Sequence, residues 1–443
     1  MIQKMNYSSF GLFPKSTPSG IIYPHWHDEI LQSFKKLKPD DTLLPFGMGR
    51  SYGDSCLNND HSLLLTKSLN NIIYFDEVNG NIECESGCTF DDILQIIVPK
   101  GWFLPVTPGT RFITVGGAIA NDIHGKNHST AGSFGNHVQW FYLLRSDNEQ
   151  ELYCSQDTNQ EYFTATIGGL GLTGIITKAC FTLKKIDNPY INVDSIKFKG
   201  IDEFLELSDT LGIQKEYSVS WFDCYSGSAS NIKGLFTAGT CADPTYSEKK
   251  IKPPKSITFP FDAPGSLLNT LTIKAFNALY YHKQLNKETS TIQHYEPFFY
   301  PLDAINKWNR MYGKRGFVQY QNIIPFESGI EPINDILSLM KKTGEGSFLV
   351  VLKTFGSIES RGMMSFPKPG ITLAMDFPWR GNKTAALLDA FDEITAEANG
   401  RVYPAKDARM SGKHFRQYYP LWETFMQYKD PCISSSFIRR VLD

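Results

Sequence analysis

Residues 115–138 read VGGAIANDIHGKNHSTAGSFGNHV, which puts five glycines and three histidines into 24 residues with hardly a bulky side chain among them. With 35 glycines in 443 residues, such a window would hold about two. The excess means that something approaches the main chain closely here, and that something need not be protein. A second bare stretch, GMGRSYGD (47–54), leaves directly from the short apolar strand that LLPF (43–46) predicts. A strand feeding a glycine loop leaves successive backbone N–H groups free to converge on an anion. A nicotinamide-type fingerprint would need glycine at 52, where Tyr52 stands, so spacing alone supports a plain turn as well as a phosphate loop. A complete GxGxxG occurs at Gly169, Gly171 and Gly174, but the IITKACFTL that follows is β-branched and strand-like, not the helix that would hold a pyrophosphate. It reads as a decoy.

The histidines of 115–138 also admit a metal reading, with His124, His128, His137 and Asp122 as ligands. His124 and His128 have the i, i+4 spacing of a zinc helix, yet Gly125 weakens that helix and no glutamate stands as general base. Metal therefore ranks below cofactor packing and none is expected. His128 and His137 are expected to bond to backbone. The eight cysteines (56, 84, 88, 154, 180, 224, 241 and 432) form no CxxC, and read as buried or free thiols of a reducing compartment, with ligation by Cys84 and Cys88 the less favoured reading.

The length implies two or three domains at about 150 residues each. Hydrophobic residues at 41% and charged ones at 20% fit a soluble globular chain, and a net charge of −2 gives no electrostatic reason to expect nucleic acid. The N-terminus has no signal-like apolar core and no run approaches ~18 apolar residues, so the expectation is a soluble, cytoplasmic protein. Periodicity predicts a helix over 28–37, a hairpin of NIIYF and NIECE, a helix over 90–98 capped by Thr89 with Asp92, and two strands within 138–154. These elements alternate without the long βαβ units of a doubly wound sheet. From about 188 aromatic residues become frequent, and 249–266 (KKIKPPKSITFPFDAPGS) looks like a Pro-rich surface segment. Lys353 ends an apolar run, where a charge belongs at a pocket mouth or in a pair, and RVYPAKDAR (401–409) sets Tyr403 and Lys406 beside Asp407 and Arg409.

Taken in order, GMGRSYGD, PVTPGTRFITVGGAIANDIHGKNHSTAGSFGNHV and FTATIGGLGLTGIIT resemble the vanillyl-alcohol-oxidase type of FAD enzymes. Within that superfamily the chain resembles the decaprenylphosphoryl-β-D-ribose 2-oxidases, flavin subunits of a two-enzyme epimerase. The likeness continues through SVSWFDCYS, EPFFYPLDAINKWNRMYGKRGFVQYQNIIP, SFLVVLKTFG, GITLAMDFP and VYPAKDAR, covering nearly the whole chain. It implies an α+β fold: an FAD-binding domain from 1–188 plus 401–443, and a substrate domain at 189–400 built on an antiparallel sheet.

The resemblance implies FAD contacts from Pro45, Phe46, Gly47, Met48, Gly49, Arg50, Ser51, Tyr52, Gly53, Asp54, Ser55, Gly109, Thr114, Val115, Gly116, Gly117, Asn121, Asp122, Ile123, His124, Ile176 and Tyr403. Some members of the superfamily tether FAD through a histidine in the first loop; Arg50 at that place implies dissociable FAD. The implied reaction is oxidation of the ribose C2 hydroxyl by hydride transfer to flavin N5. Lys406 and His124 are then the catalytic residues, with Lys126, Trp221, Gln319, Gln321, Lys353 and Lys406 at the substrate. Ala374 and Thr372 depart from the family's cysteine and asparagine, which bears on pocket shape rather than on hydride chemistry. Implied partners are a polyprenyl-phospho-sugar substrate and a short-chain reductase that completes the epimerisation towards an arabinose precursor of cell-wall arabinan. A peripheral contact with the inner face of the membrane through Lys249, Lys250, Lys252 and Lys255 is a secondary reading, a solvated loop the first. The rival functions are oxidation of a free sugar, alditol or aldonolactone, then flavin binding without turnover, then a nicotinamide dehydrogenase using the Gly169 motif.

Overall fold

The computed structural model describes residues 7–148, 150–225, 228–246, 256–265 and 267–442. Strands Gly20–Ile22, Ser62–Leu65 and Leu43–Phe46 form a small parallel sheet with Ser62–Leu65 in its middle. That central strand, SLLL, is buried at all four residues, as a parallel strand covered on both faces has to be. The predicted hairpin is present as Ile72–Asp76 and Asn81–Glu85, and it opens a five-stranded antiparallel sheet continued by Ile175–Thr182, Val138–Leu144 and Leu152–Ser155. The β-branched run after Gly174 is thus the central strand of a sheet. The helix Phe90–Ile97 starts on a complete capping box between Thr89 and Asp92, which contributes about 1 kcal/mol.

An eight-stranded antiparallel sheet dominates the second half, in the order Glu288–His294, Tyr190–Lys199, Lys233–Cys241, Tyr217–Phe222, Val350–Phe355, Gly370–Pro378, Phe317–Ile324 and Arg401–Val402. Two helices, Glu331–Thr343 and Asn382–Glu397, cover one of its faces. Val318, Tyr320, Leu352, Leu373, Met375 and Phe377 meet Ile336, Leu337, Met340, Leu388 and Phe391 there in one buried cluster. Each such side chain contributes roughly 1.5–3 kcal/mol by leaving water. Side chains alternate along a strand, so the intervening residues are turned to the opposite face. The register aligns them in rows: Gln319 opposite Asp376, Gln321 opposite Ala374 and Ala374 opposite Val351, Lys353 opposite Thr372.

Arg401–Val402 pairs with Phe317–Ile324, and the chain then returns to the first glycine loop. Tyr52 N–H donates to Ala405 O (2.9 Å), and the Arg440 guanidinium bridges Asp54 and Asp407, each at 2.8 Å. The strand Leu43–Phe46 is bonded at Leu43 to both Cys432 and Ser434. The four lysines at 249, 250, 252 and 255 lie outside the described residues; the later part of that Pro-rich segment contributes a short strand, Ile257–Thr258, paired with Ile305–Asn306. All eight cysteines are free thiols. No helix among the described residues is long and apolar enough to cross a membrane.

Candidate active site

Both bare loops and the polar face of the large sheet line one cavity of about 580 Å³. Its first wall is main chain: residues 47–52, then Gly109, Thr114, Gly116, Gly117, Asn121 and Ile123, then Leu170, Gly171, Gly174 and Ile176. At Gly109 an added Cβ would meet nothing within 4 Å, so its missing side chain leaves open cavity. Gly53 is different, because a Cβ there would overlap the Asp407 carbonyl. Its reason is the fold.

The N–H groups of Met48, Gly49, Arg50 and Ser51 donate to no protein acceptor among the described residues. In the helix Val115–Ala120, by contrast, Val115 N–H is held by Cys88 O (2.9 Å), Gly116 N–H by Ser86 O (2.8 Å) and Gly117 N–H by Thr114 Oγ1 (3.2 Å). The free donors for an anion are therefore in the first loop. The hydroxyls of Ser55 and Ser86 also border the cavity, buried and without a protein partner. Arg50 adds a cation, its guanidinium 5.2 Å from the Phe10 ring centre and its Nε donating to Phe112 O (3.3 Å). Free amides, unpartnered hydroxyls and space where Cβ atoms are missing fit FAD, an elongated cofactor with a diphosphate at its middle.

Five residues expected at the cofactor lie behind this lining. Phe46 is buried, packs edge-on against Tyr7 and sits beneath Gly49. Val115 is in the core, Gly53 abuts Asp407, and Asp54 is taken by Arg440. Asp122 has φ +39° and accepts from Gly135 N–H (2.8 Å), Ser133 Oγ (2.8 Å) and Ser365 Oγ (2.6 Å). It shapes the turn that delivers His124. The three histidines and Asp122 form no ligand set, and none of three or more His, Cys, Asp or Glu exists among the described residues. His137 bonds the Ala131 carbonyl as expected (2.8 Å). His128 does not bond to backbone: both ring nitrogens are buried without a protein partner, and the ring packs 4.3 Å from Phe355. Packing has won there over polar satisfaction.

The second wall is side chains. Lys126, Gln319, Gln321, Lys353 and Lys406 all reach the cavity, with Val219, Val351 and Ala374 between them. Trp221 does not; it stands two residues beyond Val219, and its Nε1 donates to Phe348 O (3.0 Å). Thr372 also sits outside the lining, its hydroxyl donating to Asn322 O (2.7 Å), whereas the other departure, Ala374, is in it. Lys406 Nζ lies 3.8 Å from the centre of the Tyr52 ring, a cation–π contact. Burial pushes its amine down to about 8, opposed by the Asp376 charge. Lys353 is pushed down to about 7 by burial and then by the neighbouring Lys126 and Lys406 charges, and burial takes Lys126 to about 8. No carboxylate lies within ion-pair distance of any of the three among the described residues.

His124 is walled by Phe355, Phe366 and Tyr403, with ring centres 4.8–5.9 Å away, and Tyr403 OH is anchored on Asn121 O (2.8 Å). Burial, and then the Lys353 charge, hold its imidazole neutral, well below the ordinary histidine range. Its Nε2 is 2.9 Å from Gln321 Nε2 and its Nδ1 3.4 Å from Lys353 Nζ. A neutral imidazole has one N–H, so one of those neighbours has to accept: Gln321 through its amide oxygen, or Lys353 as a free amine.

Sequence reasoning passed over Asp376, Asp303, Ser86 and the glycines at 171 and 174, all of which border the cavity. The alternation that makes Gln319 and Gln321 face one way extends to Ala374 and Asp376 in the partner strand, and would have found the carboxylate. The strand expected after the Gly169 motif is present, and Gly171 and Gly174 nevertheless border the cavity.

Residues 18–153 match the model of an FAD binding domain family. The chain is 33% identical over 408 residues to the decaprenylphosphoryl-β-D-ribose oxidase of Mycolicibacterium smegmatis, an alignment covering 89% of this chain and 88% of that protein. It is 27% identical to an uncharacterised Streptomyces coelicolor protein over 77% of this chain and 95% of the relative. A mitochondrial D-lactate dehydrogenase (cytochrome) of Saccharomyces cerevisiae is 24% identical over 42% of this chain and 33% of its own length.

Proposed function

Since the chain belongs to the decaprenylphosphoryl-β-D-ribose oxidase family, FAD-dependent oxidoreductases of the vanillyl-alcohol-oxidase type, we propose that it oxidises the C2 hydroxyl of a polyprenyl-phospho-β-D-ribose to the 2-keto sugar. The observation that carries this reading is the pair Lys126 and Lys353, two half-buried amines that face the cavity with no carboxylate within ion-pair distance among the described residues, and that an anion would hold in their charged form. Burying unpaired charge is costly, so the site calls for an anionic ligand, and a sugar phosphodiester supplies one where a free sugar does not.

The first-loop amides and Arg50 hold the FAD diphosphate, and the Ser55 and Ser86 hydroxyls gain partners from the same cofactor. FAD, when bound, supplies the acceptor for the two electrons of the alcohol. Lys406 holds the substrate oxygen and stabilises negative charge as it develops there. Gln319 and Gln321 orient the sugar, and His124 is kept neutral as a hydrogen-bonding member of the wall. A short-chain reductase would complete the epimerisation, and contact with an anionic membrane face through the 249–255 lysines would bring the enzyme to its lipid. Arg50 cannot form the bond that tethers flavin through a ring nitrogen, so FAD is dissociable: acid precipitation should leave the yellow colour in solution, and colour in the pellet would overturn this.

The deciding experiment is an anaerobic bleaching screen of the holoprotein. Polyprenyl-phospho-ribose should bleach the flavin at far lower concentration than ribose, alditols or aldonolactones. Equal or better bleaching by the short neutral compounds would transfer the function to them.

A further inference from the structure

The side chain that accepts the hydroxyl proton can be sought by asking which bases border the cavity at its Lys406 end. His124 has both ring nitrogens engaged, by Gln321 and Lys353. Asp303 accepts from Arg111 N–H (2.9 Å) and faces the Arg50 charge, at the first-loop end. Tyr52 is half-buried with its ring beneath Lys406, and loss of hydration holds its phenol well above the ordinary range. Asp376 remains.

It is 1% exposed, yet it borders the cavity. Gln319 Nε2 donates to Oδ1 (2.5 Å), Tyr312 OH donates to Oδ2 at the long distance of 3.4 Å, and its own N–H is anchored on Ser347 Oγ (3.1 Å). The carboxylate is thus aimed by neutral donors and neutralised by none. The charged or titratable groups that act on it are Lys406 from the returning C-terminal segment, Tyr312 from the short helix Trp308–Tyr312 and Tyr52 from the first loop.

We propose that Asp376 is the general base of the reaction, and that Lys406 is the cation that holds the oxygen from which Asp376 takes the proton. This rests on the alcohol-oxidising reading above. The O–H bond breaks and its electron pair becomes the second bond of the carbonyl; the proton passes to an Asp376 oxygen; the hydrogen on carbon leaves as hydride, with the C–H pair, to the oxidised flavin that the family's activity supplies. Two groups of opposite charge thereby take opposite roles on one oxygen. Burial, which outweighs the Gln319 bond and the Lys406 charge, pushes the carboxyl up to about 7, so it ionises near neutral pH and is a stronger base than an exposed aspartate.

The test compares wild type, Asp376→Asn and Asp376→Glu as FAD-loaded proteins. In stopped flow, Asp376→Asn should slow anaerobic bleaching by about 10²-fold or more and abolish the acid limb of its pH profile near 7, with unchanged flavin content; Asp376→Glu should restore part of the rate and the limb. A second readout needs no turnover: the pH dependence of Lys406 acetylation by acetic anhydride, followed by peptide mass. Removing the neighbouring negative charge should move its midpoint to lower pH. Bleaching within threefold of wild type with the acid limb retained, an unmoved midpoint, or a Lys406 closed to the reagent at every pH would each overturn the proposal. If no alcohol bleaches even the wild type, the function reading itself fails, and the acetylation midpoint still decides whether Asp376 and Lys406 act on one another.

Discussion

The two walls of the cavity are built on opposite plans. One is main chain laid bare, where glycines, free amides and two unpartnered hydroxyls surround space that side chains have vacated. The other is made of side chains, Gln319, Gln321, Lys353 and Asp376 from alternate positions of the sheet with Lys126 and Lys406 from the segments beside it, and the sheet is backed by a buried apolar cluster. The first holds a ligand by shape and by donors that never change charge. The second holds three amines and a carboxyl whose protonation is close to balance near neutrality. A cofactor that stays bound through turnover and a substrate that comes and goes call for that division: one wall can be fixed, while the other has to respond.

The largest effect should come from the responsive wall. Lys406→Ala is expected to leave the flavin spectrum in place and slow anaerobic reduction by about 10²–10³-fold; near-normal reduction would remove Lys406 from the chemistry. The glycines provide the next test, because two of them are bare for different reasons. Gly109→Leu should leave the melting temperature of the flavin-free protein unchanged and weaken FAD binding at least tenfold, as its side chain would enter the space the cofactor takes. Gly53→Ala should instead destabilise flavin-free and FAD-loaded protein alike, by about 2–3 kcal/mol, since the Asp407 carbonyl has nowhere to go. Matching behaviour of the two variants would erase the distinction between a glycine kept for the cofactor and one kept for the fold.

The amines set a basic limb. Lys353 loses its proton as pH rises through about 7 and Lys126 through about 8, so each is charged below that value and neutral above it. For an anionic substrate, kcat/KM should therefore fall above about pH 7–8, and a neutral sugar should show no loss from this source. Lys353→Met is expected to lower kcat/KM for the phospho-sugar by about 10–100-fold and to displace that limb. The smallest change is expected at Trp221, which bonds Phe348 O outside the lining: Trp221→Phe should alter KM by less than about threefold.

The same division explains what the sequence made legible. A bare wall is a local property, so 47–54 and 115–138 announced themselves through glycine density, and Leu43–Phe46, the hairpin and the Thr89 cap followed from neighbouring residues. The side-chain wall is assembled from residues 319, 321, 353 and 376 of the sheet and 406 of the returning segment, which no window brings together. Resemblance placed Lys406, Lys353 and the two glutamines in the cavity. It did not single out Asp376, and it assigned to the cofactor three residues that lie behind the lining, Asp54 and Asp122 bonded to neighbouring segments and Gly53 packed against the Asp407 carbonyl. Nor does a sequence show that His128 sits in packing that leaves both nitrogens without protein partners.

The central claim is that a cofactor held by bare main chain faces an alcohol held by half-buried charge. Its most direct measurement is the absorbance of the purified FAD-loaded protein, mixed without oxygen with polyprenyl-phospho-ribose. The flavin bands should be present before mixing and bleach within a single turnover, with one keto sugar formed per flavin. A protein that binds no flavin, or flavin bands that persist through saturating phospho-sugar, would contradict it.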